Sequence, residues 1–275
     1  MCRLLDVSPS GFYAWRKRPP SATSLANQRL IEKIREVHKL SRGTYGSPRV
    51  HAELLAQGWD VCVNHVARLM HENGISARLP KRWRKTTDSD HGLPVAPNDL
   101  DRKFKVEAPN RVWVTDITYV WTLEGWLYLA VVLDLFSRRI VGWSMTDHMR
   151  TELPLGALDM AIGNRLIDGE LMQHSDRGSQ YASRTYRGRL DEHGIKCSMS
   201  RRANCWDNAV VESFFGTLKR ELVHRTTWIS HDHVRAAIHE YIEVFYNRMR
   251  RHSTMGYLSP AEFERNHTQG AAEAV

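Results

Sequence analysis

The sequence predicts an α/β protein: a mixed five-stranded sheet with flanking helices, preceded by a small all-α region. Three observations predict it. Three β-rich segments follow one another with only short turns between them, which makes antiparallel neighbours. Helix and strand patterns then alternate, which places helices on both sides of the sheet. Ahead of both lie helices punctuated by Pro at their starts and Gly at their ends.

The first helix is read from "LLDVSPSGFYAWRKRPP". Ser8 can N-cap, Pro9 takes the first helical position, and Pro19-Pro20 stop the helix after Arg16, Lys17 and Arg18. An amphipathic helix over about 23–41 carries Leu30, Ile31, Ile34 and Val37 on one face. Two shorter helices follow. Ser47 caps the first, Pro48 opens it and Gly58 closes it; Asn64 caps the second and Gly74 ends it. Two short helices joined by a turn in a basic segment are compatible with a DNA-reading unit, and also with a small bundle that binds nothing. Residues 80–110 mix Pro, Asp, Asn and Lys without periodicity and read as a linker. The expected division is therefore 1–79 helical, 80–110 linker, 111–225 core and 226–275 a C-terminal helical extension.

From 111 onward the pattern is that of strands. "RVWVTDITYVW" (111–121) is apolar on both parities, as a strand covered on both faces must be. "WLYLAVVLDLF" (126–136) and "RIVGWSMT" (139–146) follow across turns at Glu124-Gly125 and Ser137-Arg138. Helix 151–166, strand 171–175, helix 179–193 (with Ser179 able to cap it) and strand 195–199 come next. A helix over 206–222 then carries Val211, Phe214, Phe215, Leu218 and Leu222 as one apolar stripe. Beside that stripe stand Glu212, Gly216, Lys219 and Val223 in a second row. A long helix over about 231–249 and a Ser259–Glu262 capping box with Pro260 complete the chain.

Charge and cysteine usage narrow the function. The net charge is +8, and residues 1–109 hold 19 Lys and Arg against 11 Asp and Glu, whereas residues 110–275 hold 20 of each. An excess confined to one end suits a polyanionic partner, most simply a nucleic acid. Cys2, Cys62, Cys197 and Cys205 form no CxxC pair, and read as reduced thiols without a zinc site. No apolar run is long enough to span a bilayer and no signal peptide is evident, so the expectation is a cytoplasmic protein with no membrane partner. No Walker-type Gly-rich loop is present.

The chemistry is read from carboxylates. Asp116 sits inside an apolar strand, where a buried carboxylate is costly unless paired or bound to a metal. Asp176 ends the fourth strand, at the kind of place where α/β sheets build sites, although a turn aspartate would look the same. With Glu212 they form three carboxylates converging on one region, a set of hard oxygens suited to a pair of Mg²⁺ or Mn²⁺ ions. Asp134 is a rival carboxylate one strand over, read as structural or as a support behind the metal ligands.

Thirty-five residues lie between Asp176 and Glu212, and Lys219 follows Glu212 by seven. That spacing resembles the DDE transposases and retroviral integrases with their RNase H-like core. The words "VWVTDITYV", "DLFSRRIVGW", "HSDRGSQY", "NAVVESFFGTLKRE" and "YNRMRRHSTMGYLSPAEFE" are closest to the transposases of the bacterial "insertion sequence three" group. "YGSPRVHAEL" resembles the helix-turn-helix region ahead of that core. Met255 and Phe263 stand where the group suggests Leu and Tyr, and the His/His/Cys/Cys zinc unit of retroviral integrases is absent.

The resemblance implies a DDE-type polynucleotidyl transferase that cleaves DNA and transfers the cut strand. Asp116, Asp176 and Glu212 would be its catalytic metal ligands. Lys219, Arg177, Asn208, Arg248, Arg251 and His252 would contact DNA. The implied partners are double-stranded DNA (element ends and target), further copies of the chain assembled on it, and an upstream-frame protein or fusion. Two alternatives share parts of this pattern: an inactive descendant that only binds DNA, and an RNase H-type nuclease acting on RNA–DNA hybrids. The second leaves the basic N-terminal helices unexplained.

Overall fold

The computed structural model describes residues 2, 4–77, 96–101, 104–201 and 208–273. The chain divides into two compact units, Met1–Arg78 and Leu79–Val275.

The first unit holds α1 (Pro9–Lys17), α2 (Ala22–Leu40), α3 (Ser47–Ala56) and α4 (Val63–Glu72). Ser8 caps α1 as expected, its hydroxyl accepting from the Gly11 N–H at 3.3 Å. Two other caps fall earlier than the sequence suggested, by one residue for α3 and by two for α4. Gly46 precedes α3 and Cys62 precedes α4, neither with a side-chain cap bond, and Ser47 and Asn64 lie inside the helices. The stops hold. Gly58 (φ +83°) and Gly74 (φ +65°) take the left-handed conformation, and Trp59 N–H and Ile75 N–H bond back to Leu54 and Met70 carbonyls. Leu30, Ile34 and Val37 of α2 pack on Val50, Leu54, Val66 and Leu69 to form the core of this unit. α1 contributes no buried residue.

The second unit is built on β1 (Val112–Thr122), β2 (Gly125–Asp134), β3 (Ile140–Thr146), β4 (Met172–Ser175) and β5 (Lys196–Met199). The order is β3-β2-β1-β4-β5, with β1–β2 and β2–β3 antiparallel and β4 and β5 joined in parallel. α5 (Glu152–Asn164) covers one face, where Trp113, Ala130 and Val132 meet Leu153, Ala157 and Ala161. α8 (Ala209–Glu221) and α9 (His231–Glu240) cover the other, where Val114, Leu129 and Val131 meet Val211, Phe214, Leu218, Val234 and Ile238. Two buried faces explain why the first two strands are apolar on both parities.

Three expectations are corrected. The helix read over 179–193 is two, α6 (Ser179–Ala182) and α7 (Arg184–Glu192), because Ser183 turns extended and caps α7 through Tyr186 N–H at 3.2 Å; the cap ahead of α6 is Gly178, not Ser179. The helix read over 231–249 continues beyond α9 as a π-helical segment, Tyr241–Tyr246. Its wider turn keeps Tyr241, Ile242, Phe245 and Tyr246 all buried. Part of the expected linker belongs to the core. Ala96 and Leu100 are buried in it, and Asp99 N–H bonds the Ser198 hydroxyl at 3.0 Å. Residues 80–95, 102 and 103 of the same stretch lie outside the described residues. The last helix, α10 (Pro260–Glu273), opens on the expected capping box, with Ser259 N–H on Glu262 at 2.8 Å. Among the described residues no helix is long and apolar enough to cross a membrane.

β3 and α5 meet at Gly142, where an added Cβ would stand 2.1 Å from the Ala157 carbonyl oxygen and 2.7 Å from Ala161 N. Both are backbone atoms that cannot swing aside. Gly142→Ala is therefore expected to lower stability by about 1–3 kcal/mol through overpacking. An unfolding midpoint in urea unchanged from the parent would show that α5 yields freely.

Candidate active site

Asp116 lies at the middle of β1, paired across the ladder with Val131, and so faces the layer of α8. Asp176 directly follows β4, and Glu212 stands in the first turn of α8. The Asp116 carboxyl is held well above the usual carboxylate range, first by burial, then by the negative charge of Asp176. Glu212 adds to that rise, while the Ile117 N–H, bonded to the carboxylate at 2.8 Å, and Lys219 oppose it. Asp116 thus lies within electrostatic reach of Asp176, Glu212 and Lys219. Among the described residues no three His, Cys, Asp or Glu side chains stand close enough to hold one metal ion.

Local structure fixes each group. Asp176 accepts the Gly178 N–H at 2.9 Å, and a Cβ on Gly178 would lie 3.0 Å from that same carboxylate oxygen. The glycine lets the turn fold against the acid. Beneath, the Tyr181 hydroxyl lies 3.3 Å from the Thr115 hydroxyl, and burial pushes the phenol well above its ordinary value, with further repulsion from Tyr186, Asp116 and Asp176. Sequence reading missed this pair, because a tyrosine in a short helix looks like ordinary core.

Asn208, expected on DNA, is buried. Its amide donates to the Thr115 carbonyl at 3.2 Å and so ties the start of α8 to the residue before Asp116. Its Oδ1 has no hydrogen-bond partner among the described residues. Residues 206 and 207 of the expected helix lie outside the described residues.

Lys219 is buried at 6% exposure, with its ammonium 4.8 Å from the centre of the Tyr119 ring. Burial pulls it down to about 8, against the attraction of Asp116. Glu212 is exposed, and Gly216 sits between the two on the helix.

The remaining expected contacts separate. Arg177 donates to the Ser200 carbonyl at 2.7 Å, and Arg248 is exposed. Arg251 is 9% exposed and directed inward, bonding Glu262 at 3.1 Å and the Tyr257 carbonyl at 3.3 Å. His252 stacks edge-on against Tyr246 at 5.0 Å. The carboxylate of Asp134 closes the turn after β2, accepting from Asn110, Phe136 and Ser137 N–H groups. Its register partner is Trp113, so it faces the α5 layer, opposite to Asp116. The reading of Asp134 as structural holds.

Residues 106–205 match a family model described as an integrase core domain, residues 193–260 match a second model of the same description, and residues 26–83 match an HTH-like domain. A Shigella sonnei protein, the insertion element IS600 uncharacterized 31 kDa protein, is 44% identical over 272 residues, 99% of this chain and 100% of that one. The transposase InsF for insertion sequence IS3A of Escherichia coli strain K12 is 42% identical over 266 residues, 96% of this chain and 92% of that one. Among solved structures, the HTLV-2 integrase catalytic core in complex with magnesium is 18% identical with a TM-score of 0.44, covering 57% of this chain and 97% of that one. With such identity carried across nearly the whole of both chains, this protein belongs to the IS3 family of transposases, an HTH-like domain followed by an integrase core.

Proposed function

We propose that the core is a DDE-type polynucleotidyl transferase, cutting and joining DNA with Asp116, Asp176 and Glu212 as its metal-binding carboxylates. The observation that carries the reading is the placement of the three acids, Asp116 in β1, Asp176 directly after the neighbouring strand β4 and Glu212 in the first turn of α8, where burial and then the charges of Asp176 and Glu212 raise the Asp116 carboxyl. Like charges gathered in this way favour a bound cation, and an all-oxygen donor set suits Mg²⁺ or Mn²⁺. Bound there, one or two such ions would activate the attacking oxygen and neutralise the leaving one. In the first step water attacks a phosphodiester at the element end and a 3′-hydroxyl leaves. That hydroxyl then attacks a second phosphodiester, whose own 3′-oxygen leaves, so neither a covalent protein–DNA bond nor ATP is needed.

Lys219 would hold a phosphate beside the reacting bond, and Arg248 and Arg177 would bind backbone further away. The basic helical unit, with α3 and α4 as its helix pair, would hold double-stranded DNA, and several copies would assemble on it in the cytoplasm, with an upstream-frame protein or fusion as a further partner. The test uses labelled duplexes from the flanks of the element with Mg²⁺ or Mn²⁺, scoring nicked and joined products. Joining should vanish in Asp116→Asn, Asp176→Asn and Glu212→Gln proteins that still bind the duplex. Joining that persists in any one of them would remove that residue from the set.

Gly216 supplies a separate check. An added Cβ there would meet, among the described residues, only the Arg220 guanidinium at 3.5 Å, so nothing in this unit requires a glycine. Gly inside a helix costs about 0.5–1 kcal/mol relative to Ala. Gly216→Ala should gain about that much in urea unfolding. If DNA backbone runs between Glu212 and Lys219, the same methyl should slow joining several-fold. Unimpaired joining would mean that no backbone comes so close.

A further inference from the structure

The β1–β2 hairpin outruns its parallel neighbour. β4 pairs β1 only along Val112–Val114, whereas β1 and β2 stay paired out to Thr122 and Gly125. On this projecting part three aromatic rings share one face, because Trp121 is the register partner of Trp126 and Tyr119 stands two residues before Trp121. Trp121 and Trp126 are edge-on with centroids 4.8 Å apart, and Tyr119 and Trp126 are edge-on at 5.0 Å.

Two features set this ladder apart from ordinary core. Trp121 is 54% exposed and Trp126 45%, although burying an aromatic side chain is worth about 1.5–3 kcal/mol. Its inner rung, Tyr119, carries the Lys219 ammonium over its ring at 4.8 Å, and Lys219 in turn feels the charge of Asp116. By register the ladder lies on the sheet face opposite to Asp116, and Lys219, through its contact with Tyr119, ties its inner end to the candidate active site. Its inner end is cationic and its outer end is a pair of half-exposed indoles.

A cation followed by open aromatic faces is the chemistry of single-stranded nucleic acid: the charge takes a phosphate and the rings take bases. Every base has a π-face, so such a platform is tolerant of sequence. We propose that Trp121 and Trp126 form a stacking platform for unpaired nucleotides at the DNA end, holding the strands apart while Lys219 keeps a phosphate near the carboxylates. The proposal rests on the reading above that this core acts on DNA ends. Leu123 and Ile229 extend the apolar border of the same end, at 69% and 65% exposure, so burial against a second copy of the chain is the competing outcome.

The experiment compares the full chain with Trp121→Ala, Trp126→Ala and the double variant, and with Trp121→Phe as the conservative change. Each binds two duplexes carrying 2-aminopurine near the end, one fully paired and one with the last few bases already unpaired. Half-exposed side chains are removable without unfolding, which thermal melts would check. The parent should quench the base by stacking and the double variant should not. On the paired end the double variant should cut and join about tenfold more slowly or worse, the scale of losing a stacked base. The pre-opened end should restore most of that rate, and the Phe variant should stay near the parent. Equal quenching in parent and double variant would overturn the proposal. So would an equal rate loss on both duplexes, or a loss that tracks a fall in oligomeric state by sedimentation. The quenching arm needs binding alone, so it decides the platform even for a chain that joins nothing, whereas absent joining by the parent counts against the transferase reading.

Discussion

Asp116→Asn protein is expected to join no DNA, and, without divalent cations, to be more stable than its parent at neutral pH. Removing outer partners of metal ligands costs roughly 10–100-fold in affinity or activity, and loss of a ligand itself should cost more. The stability effect has the opposite sign. Asp116 is half-buried, and loss of hydration together with the charges of Asp176 and Glu212 makes its folded carboxyl titrate above the ordinary value of 3.8. Between 3.8 and the raised folded value the native chain keeps a proton that the unfolded chain has released. Its contribution to stability is then full below 3.8 and is lost as pH rises through that window.

Asn carries no such titration, so the stability gap between variant and parent should open as pH climbs from about 4 toward neutrality. Urea unfolding in EDTA at several pH values measures it. Added Mg²⁺ or Mn²⁺ should close the gap by stabilising the parent alone, since a ligand that binds only the native state adds to its stability. Parallel pH curves for the two proteins would mean that the carboxyl is not strained by its neighbours. Indifference to the cations would count against the metal assignment.

Legibility in the sequence followed the range of each interaction. β1 and β2 could be read because both parities are apolar, a signature that local order alone writes when two faces are covered. Asp116 stood out for the same reason, as the one charged residue in a mainly apolar strand. Helix stops at Gly58 and Gly74 were legible because a left-handed residue there favours glycine. Starts were less so: Gly46 and Cys62 cap without a side-chain bond and leave no chemical mark.

The π-helical turn at Tyr241–Tyr246 was invisible, since its buried residues keep a spacing that an α-helix would also give. Hardest of all were pairings far apart in the chain. Arg251 read as a DNA contact, yet Glu262 and the Tyr257 carbonyl turn it inward. Asn208 read as a phosphate contact, yet a carbonyl 93 residues away holds it. A periodicity cannot show a bond whose partner lies on another element.

Arg250 belongs to that last class and should have the largest effect on stability. Its guanidinium is 4% exposed and donates to Glu221, from Nη2 at 2.8 Å and from Nε at 3.0 Å and 3.2 Å. The Tyr241 hydroxyl donates to the same carboxylate at 2.8 Å. Burial works against the charge on Arg250, but the bonds and charge of Glu221 outweigh it and hold the guanidinium protonated. Arg250→Ala would leave Glu221 buried with the tyrosine hydroxyl as its remaining partner, at a cost of about 3–5 kcal/mol. Lys cannot replace a planar fork, so Arg250→Lys should recover only part of this.

Removing both charges is different. Glu221→Leu with Arg250→Met fills similar volume without an orphaned ion, and such replacements are often neutral. The double variant should therefore lie closer to the parent than either single one, a coupling that a double-mutant cycle in urea reads directly. The functional consequence follows from position. Glu221 ends α8, two residues beyond Lys219, and pins that helix to the π-helical segment. Loss of the pin should slow joining at temperatures where the protein is still folded, because the ammonium and Glu212 ride on the same helix. Additive losses in the cycle would show that Glu221 and Arg250 act independently, and unchanged joining in folded Arg250→Ala protein would show that α8 holds its place without them.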